Sequence, residues 1–95
     1  MFKHIFKNPD IVFEDLGFTK MSENEYRAVY AYPIVTKGFT HVIEITHRTS
    51  GYHTISSYNK CMNSDGHHNS VVMSVPETKA AIKKLKQMRR KYHWE

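Results

Sequence analysis

The chain holds one cysteine, Cys61, so no disulfide can form within it. A domain with no covalent staple must be held by its own packing, and the simplest setting is the reducing cytoplasm. No apolar run approaches the ~18 residues of a membrane span. Residues 1–7 are broken by Lys3, His4 and Lys7, unlike a signal peptide. The four glycines, Gly17, Gly38, Gly51 and Gly66, stand apart as turn residues, so no phosphate-cradling loop is present. Neither Cys-x-x-Cys nor His-x-x-x-His occurs, and there is no RNP-like run, helix-turn-helix pattern, internal repeat or low-complexity segment.

What the sequence does contain is a folded composition, 40% apolar and 13% aromatic over 95 residues, sufficient for one modest core and a single domain, 1–95. The net charge of +5 is unevenly spread. Residues 1–74 carry seven Lys/Arg and seven Asp/Glu, whereas residues 75–95 carry seven and two. The excess therefore sits on one element.

That element begins at Ser74-Val75-Pro76-Glu77. Serine as cap, proline in the first turn and glutamate three residues on form a capping box. Thr78, Ala81, Ile82, Leu85, Met88 and Tyr92 recur at helical spacing as an apolar stripe. Lys79, Lys83, Lys86 and Arg90 step by four, three and four on the opposite side, with Lys84, Arg89 and Lys91 on the flanks. The spacing predicts a long amphipathic helix with a positive outer face.

Upstream, Asn8-Pro9-Asp10 starts a two-turn helix over residues 9–16 that Gly17 ends. Phe2, Ile5 and Phe6 are spaced for one face of a further short helix or turn before it. Residues 18–21 open a β region, residues 22–24 form a turn, and residues 25–34 form a Tyr-rich strand with apolar character on both faces, leaving its inward face open. Residues 39–47 and 52–60 form a hairpin. A three-residue loop, Thr49-Ser50-Gly51, sets Arg48 opposite Tyr52, His47 opposite His53 and Ile45 opposite Ile55, which places both isoleucines on one buried face. Residues 62–69 read as an exposed loop and residues 71–73 as a last short strand. The expected fold is α+β: an antiparallel four- to five-stranded meander packed against a long C-terminal and a short N-terminal helix. The expected core is Val12, Leu16, Phe18, Ile43, Ile45, Ile55, Val71, Ala81, Ile82, Leu85 and Met88.

Chemistry-bearing residues are sparse. His41 and His47 share a strand face, and the hairpin brings His53 to His47. With Cys61 they offer imidazole and thiolate, the usual zinc donors, but in no standard spacing, and two rim histidines are the simpler explanation. Cys61 lacks a nameable base and orienting partner, and Glu14-Asp15 and Glu23/Glu25 look like a solvated helix end and a turn. The expectation is a protein that is no enzyme and takes no cofactor. The basic helix is the strongest surface feature, and a solvated lysine-rich face weighs evenly against a working one. As a working surface it would comprise Lys79, Lys83, Lys86 and Arg90 with Tyr92 and Trp94, binding nucleic acid by its backbone or an acidic protein surface. Pairing of exposed sheet edges would give a homodimer.

The run Phe13-Glu14-Asp15-Leu16-Gly17-Phe18, the Tyr-rich strand, Phe39-Thr40-His41-Val42-Ile43-Glu44-Ile45 and Thr78-Lys79-Ala80-Ala81-Ile82-Lys83-Lys84-Leu85 together resemble small accessory proteins of bacteriophages and prophages of Gram-positive bacteria. The resemblance spans residues 10–88. It implies a viral protein in the host cytoplasm that binds a host protein or nucleoprotein, inhibitors of host defence systems among them. It carries over no functional residue.

Overall fold

A computed structural model describes residues 8–34, 38–49, 51–61 and 68–95. The elements run α1 (Pro9–Asp15), β1 (Thr19–Glu23), β2 (Arg27–Ile34), β3 (Phe39–Thr49), β4 (Tyr52–Cys61), β5 (His68–Ser70) and α2 (Val75–Lys91). The strands form one antiparallel sheet in chain order, β1-β2-β3-β4-β5. The α+β meander with one short and one long helix is as expected.

Local chemistry accounts for the ends of both helices. The Asn8 side chain accepts from the Asp10 N–H at 2.8 Å, and Pro9 opens α1. α1 ends in a Schellman motif: Phe18 N–H reaches the Phe13 carbonyl and Gly17 N–H the Glu14 carbonyl, both at 2.9 Å. Gly17 sits at φ +96°, and a Cβ there would lie 2.4 Å from the Tyr32 ring, so glycine is required twice over. α2 starts on the complete capping box, Ser74 with Glu77. It ends as α1 does, with Trp94 N–H on the Arg89 carbonyl at 3.0 Å, but the left-handed residue is His93, at φ 56°.

The hairpin pairs Ile45 with Ile55 and His47 with His53, and Gly51 is left-handed at φ 73°. The loop is one residue tighter than expected: Thr49 pairs with Tyr52, and Arg48 is the extra residue of a bulge beside the turn. Ser50 lies outside the described residues. The strand before α2 also moves. β5 is His68–Ser70, not residues 71–73, because its partners on β4 are Lys60, Asn59 and Tyr58. Val72 is left 93% exposed as the chain departs toward Ser74. Residues 68 and 69 of the expected loop are thus paired, and the rest of that loop and the expected turn at Phe2, Ile5 and Phe6 lie outside the described residues. β1 extends through Glu23, and the turn follows it, with the Asn24 side chain accepting from the N–H groups of Tyr26 and Arg27.

One sheet face carries Ala28, Tyr30, Ile43 and Ile45 into the core, which α1 and α2 complete with Phe13, Ala80, Ala81 and Met88. Phe13 stacks on Tyr30 with centroids 3.9 Å apart, and Phe18 meets Phe13 edge-on at 5.7 Å. This settles the inward face of the Tyr-rich strand in favour of Ala28 and Tyr30. Val12, Leu16, Ile55 and Leu85 pack only at the rim, Val71 is half-buried, and Ile82 is 43% exposed, which corrects its place in the core. The opposite sheet face is open, and its two shallow depressions are lined by strand residues alone. There Tyr58 donates to Glu44, which also pairs with Arg27; burial and the Glu44 carboxylate push the Tyr58 phenol up to about 12.

Candidate functional site

The fold sorts the cations of α2 into two groups. Ala80, Ala81, Lys84 and Met88 form the buried stripe, rotated from the expected one by ~80° at 100° per residue. Lys84 is therefore in the core, not on a flank, with its side chain 1% exposed. Its ammonium has three donors, and all three are used: Glu23 Oε1 at 2.6 Å, Gln87 Oε1 at 2.7 Å and Asp10 Oδ1 at 3.0 Å. Glu23, its side chain 6% exposed, is the hub. It also accepts from Lys91 at 2.8 Å, Lys20 at 3.3 Å and the Tyr92 hydroxyl. Asp10 accepts in addition from Lys20 at 3.0 Å and from the Tyr30 hydroxyl.

The electrostatics follow from this wiring. Burial alone would raise the Glu23 carboxyl, but hydrogen bonds from Lys84, Lys91 and Tyr92 outweigh it and hold the group well below the usual carboxylate range. Asp10 is lowered in the same way by Tyr30, Lys20 and Lys84 against its burial. The Tyr30 phenol is driven far upward by burial and by donating to Asp10. With all three N–H groups engaged, the Lys84 ammonium has no donor left for a ligand. The network joins α1, β1, β2 and α2, and its work is to fix α2 on the sheet.

The second group points outward. Lys79, Lys86 and Arg90 are exposed, as is Arg89, and these four enter no ion pair among the described residues. Lys83, half-buried, lines a groove between the helices together with Lys79, Val12, Asp15 and Leu16. Of the two aromatics expected to accompany this stripe, only Trp94 reaches it, at a recess beside Lys86, Arg89 and Arg90. Tyr92 is half-buried and turned to Glu23, and Trp94 is 7% exposed. The Trp94 indole N–H donates to the Glu25 carbonyl at 2.7 Å, and its ring stacks on both His47 and His53, each at 5.1 Å. The left-handed turn at His93 is what swings the indole back over the hairpin.

His47 and His53 meet directly, Nδ1 to Nδ1 at 3.0 Å. One must donate and the other accept, so the pair accommodates at most one imidazolium without losing that bond. Burial, His47 and Arg89 lower the His53 pKa. Cys61 is exposed and pairs with Phe39 at the other end of the hairpin, eight residues or about 26 Å along β4 from His53. The three candidate metal ligands are therefore not brought together, and among the described residues no group of three or more His, Cys, Asp and Glu could hold a metal ion. His41 instead bonds Ser57 Oγ through Nε2 at 2.7 Å.

The residues that sequence reasoning missed are Asp10, Glu23, Tyr30 and Lys84. Lys84 had a signal: it lies four residues from both Ala80 and Met88, inside the buried arc, where a charge requires a partner. Comparison with protein-family models, curated proteins and solved structures finds no match to the chain. No helix among the described residues is long and apolar enough to cross a membrane.

Proposed function

We propose that the chain is a small non-catalytic binding protein that presents the outer face of α2 to an anionic partner. One observation carries this reading: Lys20, Lys84 and Lys91 are committed to Asp10 and Glu23, while Lys79, Lys86, Arg89 and Arg90 stay exposed and without an ion pair among the described residues. A helix whose only purpose was packing would be served by the inner set. The outer set projects a field that attracts phosphates or acidic surfaces and speeds their encounter. In the setting of phage accessory proteins, which the sequence resembles, the partner would be a host protein or nucleoprotein, including one of a defence system.

The test is anisotropy of labelled duplex DNA, single-stranded DNA and polyglutamate, titrated with the wild type and with Lys79→Glu/Lys86→Glu/Arg90→Glu. Binding of at least one polyanion that the triple variant loses while keeping its melting temperature supports the reading. No binding of any of them at about 50 mM salt, where such contacts are strong, or equal binding by the variant, overturns it.

A further inference from the structure

Resting on that reading, we propose that the C-terminal end of α2 holds a phosphate-binding recess that takes the sugar–phosphate backbone of a nucleic acid. Lys86, Arg89, Arg90 and Trp94 line a shallow cavity of about 370 Å³ there, with no carboxylate among them. Lys86, Arg89 and Arg90 stand at i, i+3 and i+4, so one turn of helix directs three cations to one side. The end of a helix carries roughly half a negative charge, which opposes an anion, but three full positive charges exceed it.

Three features suit a phosphate backbone. The two arginines are planar forks that bond phosphate oxygens two at a time, as lysine does not. The wall is preorganised: Trp94 is held by the Glu25 carbonyl, by the stacked histidines and by its own N–H on the Arg89 carbonyl. The recess offers cations and, with Trp94 7% exposed, no free apolar anchor, as a nucleic-acid interface does and a protein hot spot does not. The indole, 7% exposed, has no face free for a base, so the recess contacts backbone and is indifferent to sequence.

Salt dependence reads this out. Wild type and Arg89→Gln/Arg90→Gln are titrated with a labelled duplex and a labelled single strand between about 50 and about 200 mM salt. With both arginines on phosphates, the slope of log K against log salt for the duplex should fall by about 1.8 in the variant, and affinity by tenfold or more. Arg89→Lys/Arg90→Lys should keep most of the slope and lose affinity. Trp94 fluorescence and the melting temperature, unchanged in both variants, exclude unfolding. A wild type that binds nucleic acid with a slope the glutamine variant does not change overturns the recess and leaves the basic face standing. A wild type that binds polyglutamate but neither nucleic acid overturns it too. Binding to no polyanion removes both.

Discussion

Replacing Lys84 by methionine shortens the side chain by one atom, keeps it unbranched and apolar, and removes one charge. Breaking a buried pair by deleting one partner costs about 3–5 kcal/mol, because the other charge is left buried and uncompensated. The geometry puts this case at the lower end. Glu23 keeps Lys91, Lys20 and Tyr92, and Asp10 keeps Lys20 and Tyr30, so neither carboxylate is stranded. What is lost is the residue of α2 that, among the described residues, bonds both carboxylates at once. A loss of about 3 kcal/mol is expected, with a fall in melting temperature of roughly 12–24 °C for a domain of this size. Against a total stability of about 5–14 kcal/mol for such a chain, the variant would be marginal at body temperature. Urea unfolding followed by Trp94 fluorescence and far-ultraviolet dichroism would measure it, with the m-value unchanged. Glu23→Gln should be costly alone, and the double variant should cost less than the sum by about 1.5 kcal/mol or more. A loss under about 1 kcal/mol, or additivity, would refute the reasoning and make the network incidental to stability.

Gly17→Ala should destabilise by about 1–2 kcal/mol from its left-handed backbone, and Tyr32→Ala in that background should recover only the smaller steric part. His93→Gly should do the reverse and raise stability by about 0.5–1 kcal/mol, since glycine takes the left-handed turn without strain; a lower melting temperature would show that the His93 side chain matters instead. Trp94 is the only tryptophan, so its emission isolates the histidine clamp. His53 has a folded pKa below its unfolded value, so the stability it lends is present above about pH 6.5 and is lost as pH falls below that. Asp10 and Glu23, held low in the fold, lend stability that is lost only as pH falls below about 4. Titrating from neutral pH, the Trp94 emission should therefore shift before the β dichroism is lost, and a single coincident transition would contradict this ordering.

The parts legible in the sequence were those written locally. The Ser74–Glu77 capping box, the Asn8 cap and the pairing of Ile45 with Ile55 each depend on residues a few positions apart or on one turn. The hairpin loop was misjudged by one residue because a bulge at Arg48 absorbs it without moving the isoleucines. The inward face of the Tyr-rich strand was not legible, since alternation alone gave apolar residues on both sides. It is decided by Phe13 stacking on Tyr30 and by Asp10 receiving its hydroxyl, both on α1. Trp94 looked like an exposed anchor because helical periodicity stops before it, and only the turn at His93 returns it to the sheet. Of the basic stripe, Lys79, Lys86 and Arg90 are exposed on α2 and Lys83 is half-buried, while Tyr92 turns to Glu23 and Trp94 packs on the hairpin.

The sheet and the network that secures it differ in how far along the chain they reach. Every strand pairs with its neighbour in sequence, so the meander forms from short-range closures that are fast. The bonds that seat α2 span 74 residues from Lys84 to Asp10, 61 to Glu23 and 69 from Trp94 to Glu25. During synthesis α1 and the strands emerge first, and although Phe13 can cover Tyr30, Ala28, Ile43 and Ile45 lack their cover from α2 until it arrives. The nascent chain thus passes through a stage with a partly bare apolar sheet face and a Glu23 that has only Lys20 of its partners, a surface suited to chaperone capture or aggregation. The positively charged helix is also the lid that ends that exposure, drawn down by the carboxylates already waiting on the sheet side.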